Sequence, residues 1–332
     1  MAQVPVQQQQ QQPGQPRGGG VQLPPLVPNT LDDHGLMDSS WFKVVITKCP
    51  SGDHIGTASV SLDRWNGAWD KLPEEAFMTS AMLATSLVPI RDLILRGHHL
   101  SSLPSNMASE DNHLTSSLVV FDISSNRFVD FPPVVCQFLS LRELNASSNK
   151  LCLVPQDISY LTNLQALNLN NNSFQSIPVS ICLACSLQSL SMESNRISKV
   201  PEEIGRMTNL QELYLKSNKI SKLPESFSRL QRLQTLHISD NSLVALPQTI
   251  GDMVSLKQLH AAQNKLTSLP ASIGRAPSLQ GLTVANNPLI QPPQHVCRGG
   301  LSAIKAHLKT SYSPKDKKNR SKDTYGSYET DV

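Results

Sequence analysis

The chain of 332 residues has no apolar run approaching the roughly 18 residues that a membrane-crossing helix needs, so no such helix is expected. Its N-terminus lacks a basic flank followed by an apolar stretch, so a secretory leader is not expected either. Net charge is nearly absent, at +3. Residues 301–332 hold seven bases (Lys305, Lys309, Lys315, Lys317, Lys318, Arg320, Lys322) and four acids (Asp316, Asp323, Glu329, Asp331). Seven minus four accounts for the whole +3, and residues 1–300 are neutral overall. A neutral body exerts no bulk pull on a polyanion, so nucleic acid is not an expected partner. The six cysteines (Cys49, Cys136, Cys152, Cys182, Cys185, Cys297) gather at neither end of the chain.

What the chain does have is a period. Asn126, Asn149, Asn172, Asn195, Asn218, Asn241, Asn264 and Asn287 follow one another at intervals of 23 residues. Around each lies one frame, Leu-x-x-Leu-x-Leu-x-x-Asn-x-Leu-x-x-Leu-Pro, cleanest from Leu210 to Pro224. A fixed period of this length predicts a solenoid. Alternation in Leu210-x-x-Leu213-x-Leu215 predicts a short strand with leucines inward and the intervening residues outward. Each asparagine is placed to bond backbone groups where the strand turns away. The second half of each unit carries a large apolar column (Met107, Val135, Ile158, Ile181, Ile204, Phe227, Ile250, Ile273, Val296). Beside it runs a small one (Ala108, Cys136, Ser159, Cys182, Gly205, Ser228, Gly251, Gly274, Cys297). Three cysteines therefore behave as small packing residues. Cys182-x-x-Cys185 loses its appeal as a metal or redox motif, because no second pair completes four ligands.

Four segments follow. Residues 1–40, with Gln7–Gln12 and many prolines and glycines, have the composition of a disordered tail. Residues 41–89 are a degenerate N-terminal cap or a small unassigned segment; Trp41, Val44, Ile46 and Cys49 fit the strand half of a unit, but the spacing to the next unit does not. Residues 90–310 hold nine units, the first with His98 at the asparagine position and a longer spacing, ending in a cap where Leu301, Ile304 and Leu308 recur at helical intervals. Residues 311–332 are a flexible basic tail. The expected fold is an α/β solenoid, a horseshoe with a parallel concave sheet of about nine strands.

The frame resembles that of leucine-rich-repeat proteins. Leu246–Leu259, and the ending Asn287-Pro288-Leu289, Pro292-Pro293, Val296-Cys297, Gly300 and Ile304, resemble the intracellular Ras-group class that includes Shoc-type, Scribble and Erbin scaffolds. The resemblance covers about residues 90–308 and is specific for fold rather than function. It implies protein partners, among them small GTPases, phosphatase complexes and polarity proteins. Secreted members of the wider group usually carry disulfide-closed caps. Cysteines that do not cluster at the array's ends favour a reducing, cytoplasmic location.

The concave face is the expected binding surface. Its central column runs Ile94, Asp122, Asn145, Asn168, Ser191, Tyr214, His237, His260, Thr283. Tyr214, His237 and His260 fall on consecutive strands with Glu193, Glu212 and Lys216 beside them. Rings beside charges are the composition of a binding hot spot, and equally of a solvated face where three rings happen to meet. Two histidines without a third ligand do not make a metal site, and no cofactor is expected. Glu329-Thr330-Asp331-Val332 matches a class I PDZ ligand, in which the tail adds a strand and valine fills a pocket. Lys315–Lys322 reads as a solvated linker or as a peripheral contact with the plasma membrane. Arg127–Phe131 matches a phosphatase-docking pattern, but Phe128 and Phe131 occupy leucine positions and should be buried. No Ser/His/Asp set, phosphate-cradling glycine loop or catalytic carboxylate pair assembles from columns that packing already explains. The expected function is a monomeric, non-enzymatic adaptor or scaffold in small-GTPase signalling or cell polarity. The alternative is a regulatory subunit of a protein phosphatase.

Overall fold

The computed structural model describes the backbone of Leu36–Asp38, Lys43–Thr47 and Thr57–Ser61, and the backbone and side chains of residues 89–108 and 114–310. The remainder of residues 1–89, the insertion Ser109–His113 and the tail with Glu329–Val332 lie outside the described residues. Twelve strands form one sheet in strict chain order. They are β1 (Leu36–Asp38), β2 (Lys43–Thr47), β3 (Thr57–Ser61), β4 (Ile90–Ile94), β5 (Val120–Asp122), β6 (Glu143–Asn145), β7 (Ala166–Asn168), β8 (Ser189–Ser191), β9 (Glu212–Tyr214), β10 (Thr235–His237), β11 (Gln258–His260) and β12 (Gly281–Thr283). From β4 to β12 every neighbour pairs in parallel, and from β5 onward each pairing joins residues 23 apart, as in Leu213↔Leu236↔Leu259. The middle residue of these strands is buried in each from Phe121 to Leu259, and its neighbours are left on the open face. The solenoid is thus an α/β stack with nine parallel repeat strands.

The asparagine column joins successive turns. Asn172 Nδ2 donates to Ala146 O (3.0 Å), Leu169 O (3.1 Å) and Asn170 O (3.1 Å), and its Oδ1 accepts from Leu151 N (2.9 Å). Asn195, Asn218, Asn241, Asn264 and Asn287 repeat the arrangement. In the first unit His98 is buried, and its own N–H donates to Asn126 Oδ1 at 3.0 Å. The residue before each asparagine bends the chain off the strand. Ser125, Ser148, Asn171, Ser194, Ser217, Asp240, Gln263 and Asn286 hold φ of 54–56°, a left-handed conformation uncommon outside glycine. The backbone N–H of each from Ser125 to Gln263 is satisfied by the next turn, as in Ser194 N to Lys216 O at 2.9 Å.

On the convex side the aligned prolines stand extended, and their carbonyls accept the N–H three residues on, opening a 3₁₀ turn (Ile204 N to Pro201 O, 3.2 Å). The apolar column is buried from Met107 to Ile273. The small column is explained by what lies beyond it. A methyl on Gly251 would collide with the Ser272 carbonyl of the following turn, and one on Gly205 would meet Ser226 O at 2.8 Å. Cys136 and Cys182 occupy the same column and are buried; burial pushes both thiols up to about 12. Cys185 is exposed, so the Cys182-x-x-Cys185 pair does not converge on one site. Phe128 and Phe131 are buried as their positions require.

Both ends differ from the middle. The strand Lys43–Thr47 pairs antiparallel with both its neighbours, unlike any repeat strand, and β3 then pairs parallel with β4. At the other end a helix over Gly300–Thr310 buries Ile304 and Leu308. Its Lys305 ammonium donates to Ala276 O and Leu279 O, each at 2.9 Å, satisfying carbonyls that no further turn covers.

Candidate protein-binding face

The open face of the sheet divides into two halves. From β5 to β8 several of its amide and hydroxyl side chains bond one another. Asn145 Nδ2 donates to Asp122 Oδ2 (3.1 Å), Ser147 Oγ to Asn145 Oδ1 (2.8 Å) and Ser191 Oγ to Asn170 Oδ1 (2.8 Å). Asn170 Oδ1 also accepts the Glu193 N–H at 2.6 Å. This network follows from Asn and Ser recurring in adjacent columns, a signal the sequence carries in its 23-residue register.

From β9 to β11 rings take over. Register pairs Tyr214 with His237 and His237 with His260. Ring centroids are 6.4 Å and 5.1 Å apart, at 73° and 60°, so edges meet faces. The partners predicted beside them gather here. Glu193 Oε1 lies 3.3 Å from His237 Nδ1, and Glu212 Oε2 accepts from Ser189 Oγ at 3.2 Å. His260 Nδ1 lies 3.2 Å from Thr283 Oγ1. The Tyr214 hydroxyl is pushed above its ordinary value by burial, then by the charge of Glu212 and the bond to it, then by Glu193. His237 is pushed below the ordinary histidine value by burial first, then by His260 and Lys216. Although Glu193 is close enough to be an ion-pair partner, burial and the two neighbouring bases prevail and hold the His237 value down. The six residues therefore form one continuous patch of ring edges flanked by two carboxylates and one ammonium. Among the described residues no group of three His, Cys, Asp or Glu is placed to hold a metal. Nor is any described helix long and apolar enough to cross a membrane.

The family model for the leucine-rich repeat matches residues 185–243 and 231–289, and a second model of the same description matches residues 163–184. Residues 163–289 are leucine-rich repeats. Solved leucine-rich-repeat structures share the fold. A leucine-rich-repeat protein of Leptospira interrogans is 28% identical, with 74% of this chain and 70% of that one covered, at a TM-score of 0.48. The PEPR1–AtPEP1 complex matches at 26% identity, 74% and 36% coverage and a TM-score of 0.51. The Arabidopsis receptor kinase HAESA, solved with the peptide hormone IDA and the co-receptor SERK1, matches at 24% identity, 69% and 42% coverage and a TM-score of 0.54. This chain thus spans seven-tenths of the Leptospira protein and under half of the other two. Among curated proteins none matches it in sequence.

Proposed function

We propose that this leucine-rich-repeat solenoid is a non-enzymatic adaptor that holds a protein segment on its concave face. The patch of Tyr214, His237, His260, Glu193, Glu212 and Lys216 is its centre. The observation that carries this reading is the contrast between the two halves of the face. In the Asn–Ser half several amide and hydroxyl groups bond one another, whereas the rings present apolar area with a polar edge, the chemistry enriched where binding energy concentrates. The likeness to PEPR1, solved with AtPEP1, supports a peptide or protein ligand. The frame's resemblance to intracellular scaffolds makes small GTPases and polarity proteins the first candidates, in the cytoplasm. The C-terminal Glu329–Val332 adds a second contact, with a PDZ domain, on sequence grounds alone.

Affinity capture with three baits tests this: the whole chain, a chain lacking residues 329–332, and Tyr214→Ala/His237→Ala/His260→Ala. The triple variant should lose one set of partners and the shortened chain another. Identical partner sets from all three would refute both contacts.

A further inference from the structure

Beside the open face, the turn that follows each asparagine stacks into a second ladder along one flank of the solenoid. The residue after each asparagine donates its N–H to the preceding turn: Lys150 N to Phe128 O (2.8 Å), Arg196 N to Phe174 O (2.9 Å), Lys219 N to Ile197 O (2.8 Å) and Lys265 N to Leu243 O (2.9 Å). Two residues on, the chain pairs again, as in Ile290 N to Thr267 O at 2.8 Å. At the next position Ser176 bridges Lys199 and Ser268 bridges Gln291. Side chains at the first, third and fourth positions after the asparagines therefore stand in three adjacent rows, with turns spaced by roughly 5 Å as in any parallel ladder.

These rows segregate charge. Between residues 127 and 268 they contain Arg127, Lys150, Arg196, Lys199, Lys219, Lys222 and Lys265 against the single acid Asp130, seven minus one, or +6. All seven cations are exposed. Acids border the rows on both sides: Glu193 and Asp240, in contact with His237 and the Ser217 hydroxyl, precede the asparagines, and Asp157, Glu202, Glu203 and Glu225 lie on the turns beyond the prolines. The same rows hold four of the nine large apolar side chains that lie exposed among the described residues: Val129, Leu153, Val244 and Ile290, with Leu153 and Ile290 at 73%. Like charges stacked at this spacing repel one another in the free protein. Aliphatic groups interleaved with them gain nothing in water. Both features are satisfied together by an anionic bilayer, where phosphates and carboxylates meet the cations and the aliphatic tips enter the headgroup region.

We propose that this flank is a membrane-docking surface for an anionic leaflet, independent of the concave patch and separate from the basic tail. Each lysine or arginine held near such a surface contributes to the partition, so losing three lowers it by roughly a hundredfold. The test is co-sedimentation of the full chain with vesicles of phosphatidylcholine alone or with phosphatidylserine added. The parent should bind only the anionic vesicles. Arg196→Glu/Lys219→Glu/Lys222→Glu should lose that binding by about a hundredfold or more, with an unchanged unfolding midpoint. Leu153→Ser/Ile290→Ser should weaken it by roughly tenfold and leave the remainder salt-sensitive. A tail variant, Lys315→Glu/Lys317→Glu/Lys318→Glu, should keep most of the binding. The proposal is overturned if the parent ignores anionic vesicles, if the flank variant binds as the parent does, or if the tail variant alone abolishes binding. Saturation of the flank by an acidic polypeptide in a chain that ignores vesicles would likewise overturn it, and would point to a protein occupant.

Discussion

Glu193 and His237 touch across the strand that separates them, carboxylate oxygen to Nδ1 at 3.3 Å, although they stand 44 positions apart in the chain. The contact bridges the two halves of the open face, because the Glu193 backbone N–H is held by Asn170 on the other side. His237 nevertheless stays neutral at neutral pH, since burial, His260 and Lys216 all press its value down. A histidine titrates near 6.5 in an unfolded chain, so the folded state binds fewer protons in the interval below that. The contribution to stability is present above about pH 6.5 and is lost as pH falls through the depressed folded value. An NMR titration should place the His237 midpoint below the ordinary value. Lys216→Gln should raise it, and an unmoved midpoint would remove Lys216 as a cause.

Asn172 should be costly to truncate. Asn172→Ala leaves the buried Leu151 N–H without its acceptor, while the Ala146 and Leu169 carbonyls keep Asn149 and Asn195 as donors. An unsatisfied buried group costs about 1–3 kcal/mol, which urea unfolding would resolve. Asn163 is the comparison: it is exposed and donates once, to Leu139 O at 2.9 Å. Asn163→Ala should stay within about 0.5 kcal/mol.

Two glycines separate backbone crowding from side-chain crowding. Gly251→Ala drives a methyl into the Ser272 backbone, which cannot move without its whole turn. The loss should be about 2 kcal/mol or more. At Gly281 the obstacle is the Gln258 side-chain amide, the free end of a flexible group. Gly281→Ala should cost less than about 0.5 kcal/mol. Equal losses would mean that the turns are not packed as tightly as described.

Thiol labelling should divide the cysteines. Cys152 and Cys185 are exposed, whereas Cys136 and Cys182 are buried with their thiols held near 12. Mass spectrometry after brief alkylation at about pH 8 should find Cys152 and Cys185 modified and the other pair intact until denaturant is added. Early modification of Cys182 would show that the convex column opens in the native state.

The strands, the core and the adjacency of the three rings were legible because each obeys the period directly. Leu213, Leu236 and Leu259 share one residue type at one spacing, and whatever lies one residue further on, Tyr214, His237 or His260, must share their register. The left-handed column was not legible, because Ser, Asn, Asp and Gln all occupy it and only the backbone shows what they have in common. The antiparallel pairing of Lys43–Thr47 was hidden for a related reason: its alternation is that of any strand, and direction is set by the turns around it. The basic flank is invisible in a charge summed along the chain. Arg196, Lys199, Lys219 and Lys222 become one surface only when successive turns are laid side by side.

The asparagine clasp has a direction. Asn172 reaches Ala146 and Leu151, both in the turn before its own, and Asn195 reaches Leu169 and Phe174 in the same sense. Each coil of this polypeptide is therefore finished by the one that follows. A chain cut short inside the array would leave the Leu151 or Phe174 N–H unclasped at its new end.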